Sequence, residues 1–397
     1  MTTVNTRKGC KDIMRRLWKY IPPCLSDIMG LQALMDNTKG VGIVDDASAY
    51  KPLRYKKQDG ERTGGKGIGY FGTERLVASN IREADIITGT AEKVWRAAGV
   101  AMETYHPDFA LLATAPCAAM IGSDLTEAAD RIRAEYGIPA AVVNLDGQKD
   151  YLYGVSMALE ELGKLLLEKR DTIPDSVNLL GCQSVDWSED MVRETEAWLE
   201  KNGFRVLSRW GSRETTVNLK NASAAAVNLV VNVSGLRLAR YMEQNFDIPY
   251  VVGAPFGADR CRELAAALRS GQQRQETQEA APEALVIGEQ LMADAVRRGL
   301  EKRGFAHVRV YSFYEMDKQE MCPGDKKLVS EDELSAELAN ENLRVVFGDA
   351  DCRMGAQVKW VPLPNQANQA PSARLAPFSM TDGALDRWLD EVLKEEK

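Results

Sequence analysis

The sequence predicts an α/β protein with two to three doubly wound parallel-sheet domains of the Rossmann-like type. Three observations predict this class. Short apolar runs of strand character alternate with longer runs of helical periodicity, the alternation recurs three times, and 397 residues exceed what one compact core usually supports. A strand, a helix and a second strand in succession favour parallel pairing with right-handed crossovers.

The first expected domain covers residues 1–175. Its elements are expected in the order strand 107–113 (PDFALLA), helix from about 123 to 136, strand 140–145 and helix 151–169. Ser123 and Asp124 stand where the first of these helices begins, and their side chains are favourable N-caps. The N-terminal segment before the first strand belongs to the same domain in this interpretation.

The same rhythm predicts a second domain at 176–268 and a third at 284–397, joined by a polar, Gln-rich linker at 269–283. In the second domain we expect a strand at 176–181, a helix at 189–202 and strands at 227–233 and 250–253. In the third we expect strands at 284–287, 308–311 and 344–347, a helix to about Arg303, a charged loop at 317–335 and an amphipathic C-terminal helix at 385–394.

Composition excludes several classes of function. A net charge of -8 disfavours binding to nucleic acid, which normally requires a basic face. No apolar run approaches the length of a membrane span, and the first residues lack a secretory apolar core, so we expect a cytoplasmic protein without membrane contacts. In that compartment the seven cysteines are not expected to form structural disulfides, and two histidines disfavour a His-rich metal site or a Ser-His-Asp triad.

Two cysteines stand out by their positions in the chain. Cys117 follows a buried strand and precedes a helix, and in open parallel sheets this edge is where ligands bind. Cys24 follows Pro22 and Pro23 and precedes a helix-like segment. Spacing alone leaves two alternatives open for each, a ligand thiolate or a buried cysteine that packs as a small hydrophobe.

The remaining candidates have plainer explanations. Cys10 is interpreted as a surface or interface thiol, and Cys322 either lines a cavity or lies in a tight turn. Cys182 and Cys352 each follow a strand end and are minor ligand candidates. The glycine-rich segment 62–70 (RTGGKGIGY) lacks the spacing of a phosphate-binding loop and follows no apolar strand, so a flexible loop is favoured.

A set of short motifs carries a resemblance to a known family. They are CLSDIMG at 24–30, EADIITG at 83–89, YHPD at 105–108, TAPCAAMIGSDL at 114–125, SVNLLG at 176–181, NLVV at 228–231, PFG at 255–257 and WVPLP at 360–364. Over most of residues 20–365 the chain resembles the nitrogenase component 1 family. That family includes nitrogenase α and β subunits, dark-operative protochlorophyllide reductase and the reductive cyclase of the coenzyme F430 pathway.

The resemblance implies an iron–sulfur cluster, with Cys24 and Cys117 at the positions of family ligand cysteines. A [4Fe–4S] cluster commonly requires four thiolates, so two per chain imply a cluster shared across a dimer interface. The dimer would be a homodimer or a heteromer with a component 1 paralogue. Asp45 or Asp46 is an additional candidate ligand, as an aspartate is in one relative, although a solvated Asp-Asp turn is the plainer interpretation.

Two departures from the family pattern restrict the function. Many relatives carry a further ligand cysteine where this chain reads DDASAY at 45–50. The segment in which molybdenum nitrogenase binds its catalytic cofactor reads NVSG at 232–235 here, also without cysteine, and His307 is the one histidine of the last hundred residues. A dinitrogen-reducing α subunit is therefore rejected.

The resemblance thus implies the catalytic component of an ATP-dependent reductase. An ATP-hydrolysing iron protein would supply electrons, and the substrate would be organic, such as a conjugated double bond in a tetrapyrrole. The alternative is a scaffold protein on which a complex metal cluster is assembled. A third hypothesis is a regulatory module that keeps the fold and has lost electron transfer.

Overall fold

The structure is a computed structural model that describes residues 21, 24–46, 75–270, 282–364 and 378–394. Its contacts divide the chain into two compact units, which are described separately below. The larger unit comprises 25–255 and 261–273, and the other comprises 1–24, 256–260 and 274–397. Among the described residues, no helix is long and apolar enough to span a bilayer.

The first sheet of the larger unit is entirely parallel and has the strand order β2-β1-β3-β4. Its strands are β1 (Gly40–Asp45), β2 (Leu76–Ala78), β3 (Phe109–Thr114) and β4 (Ala140–Val142). The helices of this part are α1 (Asp27–Asp36), α2 (Glu83–Thr88), α3 (Ala91–Tyr105), α4 (Pro116–Met120), α5 (Thr126–Tyr136) and α6 (Tyr151–Leu166). Apolar residues of β1, β3, α3 and α5 form one buried core on the sheet.

Helix α1 packs directly on α6 because glycines remove side chains from both helices at the contact. A Cβ added at Gly30 would lie 2.2 Å from the carbonyl oxygen of Tyr151, and one at Gly154 would lie 2.0 Å from that of Asp27. Backbone hydrogen bonds fix the helix starts, since Asp27 N donates to Lys149 O and Tyr151 N donates to Leu25 O, both at 2.9 Å. The segment that follows Cys24 is therefore anchored to the start of α6.

The second sheet of the same unit is also parallel, with the order β6-β5-β7-β8. Its strands are β5 (Ile173–Leu180), β6 (Arg205–Trp210), β7 (Ala225–Val230) and β8 (Tyr250–Val252), and its helices are α7 (Glu189–Lys201), α8 (Thr216–Asn221) and α9 (Leu236–Phe246). Trp187 and Trp210 are among its largest fully buried side chains. Helix α10 (Ala258–Ser270) follows β8 in the chain.

The smaller unit contains a five-stranded parallel sheet of order β11-β10-β9-β12-β13. Its strands are β9 (Ala284–Ile287), β10 (Val308–Ser312), β11 (Lys326–Lys327), β12 (Val345–Gly348) and β13 (Lys359–Pro362), and its helices are α11 (Gln290–Glu301), α12 (Glu331–Leu338) and α13 (Gly383–Lys394). Leu285, Tyr311 and Val346 belong to its buried core.

The predicted α/β class with several parallel sheets is confirmed, and most predicted strands and helices are present with shifted ends. One prediction is wrong: the segment 317–335, expected to be a charged loop, contains β11 and the start of α12. Helix α12 begins at a cap, since Ser330 Oγ accepts from Glu333 N (3.3 Å), and it buries Leu334. The strand expected to reach residue 233 ends at Val230.

Some expectations fall on residues outside the described ranges. These are the surface or interface role of Cys10, the glycine-rich loop at 62–70 and most of the linker at 269–283. The division into domains at 1–175, 176–268 and 284–397 stays a prediction.

The contact between α1 and α6 yields a direct test. Gly154→Ala is expected to lower the free energy of unfolding by about 1–3 kcal/mol, because the new methyl group would overlap the backbone of Asp27. Gly99→Ala in α3 is the matched control, since a Cβ there would approach nothing closer than Tyr136 Oη at 3.8 Å. The control is expected to be neutral or stabilising by up to about 1 kcal/mol. Equal denaturant-unfolding curves for the two variants would contradict this packing.

Candidate functional site

The strand order of the first sheet places its ligand edge between β1 and β3. These two strands are neighbours, and the strands that follow each in the chain lie on opposite sides of them. At their carboxyl ends Asp45 pairs with Thr114, and Ala115 N donates to Asp45 O at 3.1 Å. In open α/β sheets this reversal point is where ligands bind. Asp45 and Cys117 therefore lie at the same edge.

Cys117 is presented to solvent by the short helix α4. Pro116 occupies the first turn, where its missing N–H costs nothing, and Ala118 is buried against the sheet. The side chain of Cys117 is exposed. The helix ends at Met120 with Ile121 as its C-cap, and Gly122 reverses the chain at φ +69° with open space around it. The structure thus places the predicted ligand cysteine on the surface and at the expected edge.

Asp45 holds this region together through three hydroxyl groups. Its carboxylate is completely buried and accepts from Ser79 Oγ at 2.6 Å, from Thr90 Oγ1 at 2.7 Å and from Ser123 Oγ at 2.6 Å. A buried charge is tolerated when hydrogen bonds replace its hydration. The three donors come from three separate segments, so one carboxylate fixes the end of β1, the start of α3 and the turn after α4. We call this arrangement the Asp45 clamp.

Four exposed apolar side chains lie on the segments that the Asp45 clamp joins. Ile86 and Ile87 lie on α2, shortly before Thr90, and Met120 and Ile121 lie at the end of α4, shortly before Ser123. We call these four residues the apolar rim. Ile87 is 88% exposed and Met120 is 83% exposed. Met120 also follows Cys117 by three residues on one short helix, which places both on one face.

The segment after Cys24 reaches the same edge of the larger unit. Asp27 Oδ1 accepts from Ile28 N at 2.8 Å and its Oδ2 accepts from Gly147 N at 3.2 Å. A Cβ added at Gly147 would lie 2.3 Å from Pro116 Cδ. Asp27 and Pro116 therefore both contact Gly147. Burial raises the pKa of Asp27 from 3.8 to about 6, although backbone hydrogen bonds oppose this change.

Cys24 itself is half-buried, and it is the last residue of the N-terminal segment that is assigned to the smaller unit. Its pairing with Cys117 as a ligand stays a prediction. The prediction of a solvated Asp-Asp turn is wrong, because Asp45 is fully buried and Asp46 is 3% exposed. Asp46 N donates to Ser79 Oγ at 3.0 Å, which extends the Asp45 clamp along the backbone. A role of Asp45 or Asp46 as a metal ligand also stays a prediction.

The other described cysteines differ in burial: Cys182, Cys261 and Cys352 are buried, and Cys322 is half-buried. Burial raises the pKa of the Cys182 thiol to about 12, and its Sγ donates to Trp210 O at 3.5 Å. Burial also raises the pKa of Cys352, which packs in the core of the third sheet. A thiol in such surroundings resists forming the thiolate that metals bind. Cys261 is buried on α10, and Cys322 is half-buried in a turn where its N–H donates to Asp325 Oδ2.

The donors fit an iron–sulfur cluster in chemistry but not in number. Thiolates are the usual ligands of such clusters, and Cys117 is accessible. Across the described ranges, no three His, Cys, Asp or Glu side chains converge on one point as a metal site. The described residues therefore contain no complete set of ligands for such a cluster.

Sequence reasoning identified Asp45 but missed its three hydroxyl partners. Ser123 was expected to cap the helix that follows it, yet that helix begins at Thr126 with Leu125 before it, and Ser123 Oγ is engaged by Asp45. Ser79 and Thr90 carried no local signal, because isolated hydroxyl residues are frequent in loops and at helix starts.

Comparison with known proteins identifies the family. The sequence model of the family of nitrogenase component 1 type oxidoreductases matches residues 64–314, which is more than half of the chain. In the structural comparison, "Nitrogenase Cp1 at pH 5" superposes with a TM-score of 0.64 at 17% identity, covering 96% of this chain and 89% of that one. At this identity the structural likeness shows the fold alone.

The similar curated proteins include cofactor-biosynthesis proteins and a nitrogenase subunit. The nitrogenase iron-molybdenum cofactor biosynthesis protein NifE of Mesorhizobium japonicum is 28% identical over 187 residues, covering 45% of this chain and 37% of the relative. NifE of a Nostoc species is 27% identical over 207 residues, covering 48% and 41%. The nitrogenase molybdenum-iron protein alpha chain of Clostridium pasteurianum is 27% identical over 205 residues, covering 49% and 36%. The match thus spans less than half of the length of these relatives.

The Asp45 clamp predicts a local effect of one substitution. Asp45→Asn removes the charge that three hydroxyls solvate, so the variant is expected to lose about 1–3 kcal/mol of unfolding free energy. Amide hydrogen exchange is expected to quicken between residues 115 and 123, where Ser123 loses its acceptor. The control is Asp130→Asn on the exposed face of α5. Unchanged exchange in the Asp45 variant would show that the clamp does not hold the Cys117 segment.

Proposed function

Because the chain belongs to the nitrogenase component 1 type oxidoreductases, we propose that it is the iron–sulfur component of a nitrogenase-like, ATP-dependent reductase. The observation that carries the proposal is the exposed thiol of Cys117 at the carboxyl edge of the first sheet, next to the apolar rim. A solvent-facing thiol three residues before exposed Met120 on one short helix suits a surface that a second chain covers.

Cys24 and Cys117 would hold the cluster with two further thiolates from the partner chain. A homodimer provides them by symmetry, and a component 1 paralogue provides them in a heteromer. The apolar rim would exclude water from the shared site, and the Asp45 clamp would keep the Cys117 segment in position against the sheet. When bound, a [4Fe–4S] cluster supplies one-electron transfer at a low potential.

Electrons would come from a separate iron protein that hydrolyses ATP. This assignment rests on the family and on the glycine-rich segment 62–70, which lacks phosphate-loop spacing. The substrate would be organic, with an unsaturated bond that is difficult to reduce. Dinitrogen is not proposed, because the segment 232–235 has no cysteine to hold a catalytic metal cofactor.

A second candidate is a scaffold on which a metal cluster is assembled and from which it is transferred. The observation that favours it is that several similar proteins are iron-molybdenum cofactor biosynthesis proteins. The scaffold would use the same thiols and the same interface. It differs from the reductase in the fate of its iron.

The test of the thiols is anaerobic purification with iron and sulfide analysis and EPR spectroscopy. Wild type is expected to contain iron and sulfide, and Cys117→Ser and Cys24→Ser are each expected to lose most of both. The matched control is Cys322→Ser, since Cys322 is half-buried like Cys24 and lies in a turn of the third-sheet region. Iron-free wild type would overturn the proposal and leave the regulatory module as the remaining hypothesis. Variants with unchanged iron and spectra would overturn the assignment of Cys24 and Cys117 as ligands, on which the proposal depends.

The fate of the iron separates the two candidates. With an iron protein, ATP and a low-potential reductant, a reductase is expected to keep its iron while the cluster signal is reduced and reoxidised over many cycles. A scaffold is expected to lose its iron to an acceptor protein within one cycle. Iron content measured before and after incubation with apo-acceptor decides between them.

A further inference from the structure

The second sheet repeats the geometry of the first at its own carboxyl edge. Strands β5 and β7 are neighbours, and β6 and β8, which follow each of them in the chain, lie on opposite sides. Asp186 follows β5 and Asn232 follows β7. A Cβ added at Gly181 (φ +88°) would lie 2.8 Å from Asn232 O, so the glycine lets the two strand ends approach closely. This edge is a second place where the fold class binds ligands.

Asp186 is the centre of a hydrogen-bond network at this edge. Tyr151 Oη lies 2.8 Å from Oδ1 and 2.9 Å from Oδ2 and donates to the carboxyl group. Asn232 Nδ2 donates to Oδ2 at 2.8 Å and Gln183 Nε2 donates to Oδ2 at 2.5 Å. The three partners are fully buried, whereas Asp186 itself is only partly buried. The network therefore presents one polar group from a rigid interior to the edge of the sheet.

The two amides are held in one orientation by their own oxygen atoms. Gln183 Oε1 accepts from Val185 N at 2.6 Å, and Asn232 Oδ1 accepts from Ser234 N at 2.9 Å and from Ser234 Oγ at 2.7 Å. The oxygens are thus committed to donors, and both NH₂ groups have to face Asp186. Flipping either amide would place two donors or two acceptors against each other.

This arrangement differentiates the two carboxyl oxygens of Asp186. Oδ2 accepts from both amides, while Oδ1 shares only the single hydroxyl proton of Tyr151. A proton added to the carboxyl group is accommodated on Oδ1 without breaking the hydrogen bond from either side-chain amide to Oδ2. Burial raises the pKa of Asp186 from 3.8 to about 6, and Asp150, the other charged group that acts on it, raises it further, whereas Tyr151, Asn232 and Gln183 lower it.

We propose that Asp186 is the proton donor of a substrate subsite at the carboxyl edge of the second sheet. The proposal rests on the reductase function, whose substrate would be an unsaturated organic molecule. Saturation of one carbon–carbon double bond consumes two electrons and two protons. The electrons come one at a time from the low-potential iron–sulfur protein, one proton leaves Asp186 Oδ1, and the second comes from water.

The geometry supports both halves of this proton transfer. Oδ1 is the oxygen that the amides leave open, so it can donate to a carbon atom at the edge of the sheet. After donation the carboxylate is stabilised by Tyr151, Asn232 and Gln183, which stay in place. Because Asp186 is partly exposed, it regains its proton from solvent.

The test is chemical labelling of carboxyl groups in the anaerobically purified full chain. A water-soluble carbodiimide with glycine ethyl ester labels protonated, accessible carboxyls, and peptide mass spectrometry quantifies Asp186 from pH 5 to pH 7. After correction for the reagent's own pH dependence, labelling is expected to fall about tenfold, as a pKa of about 6 requires. In Tyr151→Phe the fall is expected at higher pH, because the carboxylate loses a donor. Asp190, exposed on α7, is the control that is expected not to respond to Tyr151→Phe.

Two results would overturn the proposal. The first is that Asp186 stays unlabelled at every pH. The second is that its labelling falls about a hundredfold between pH 5 and pH 7, as for a carboxyl of pKa 3.8. Iron and sulfide are measured in the same preparation. Iron-free protein with the expected labelling would remove the reductase function and leave the proton-holding site, whereas iron-loaded protein with unlabelled Asp186 would remove the proton donor alone.

Discussion

One buried carboxylate ties down the segment that carries the exposed thiol of Cys117. Asp45 ends β1 inside the protein, where an ionised group is costly unless donors replace its hydration. Three hydroxyls from distant segments supply those donors, and in doing so they bring the start of α3 and the turn after α4 to the edge of the first sheet. The turn after Cys117 and the helix start after Ile87 are thereby joined through Ser123 and Thr90. An apolar residue in place of Asp45 would leave the three hydroxyls without an acceptor.

Repetition of one topology gives the larger unit two edges with different chemistry. In each sheet the first and third strands in sequence are neighbours, so polar residues at their carboxyl ends meet. The first edge presents a thiol over a clamped aspartate, and the second presents an aspartate held by neutral amides and a phenol. The thiol suits electron transfer and the carboxyl suits proton transfer. The proposed reductase would use both.

The sequence was sufficient for the parts that depend on local pattern. Parallel sheets followed from the strand–helix rhythm, and the place of Cys117 followed from its position after the run FALLAT of β3. The Asp45 clamp was not predictable, because Ser79, Thr90 and Ser123 lie 34, 45 and 78 residues from Asp45. Burial of Asp45 and Asp46 was missed because an Asp-Asp pair is ordinarily solvated. Helix α12 was missed because most of its residues are charged or polar although Glu331 and Leu334 are buried.

Iron bound at Cys117 is the central claim of this account, and diffraction at the iron absorption edge tests it most directly. Crystals grown without oxygen from the purified chain are predicted to show an anomalous iron peak within bonding distance of Cys117 Sγ, on the side of the apolar rim, with a second chain contributing ligands to the same peak. A refined structure in which the Cys117 thiol faces solvent without iron, or in which iron lies elsewhere in the chain, would contradict it.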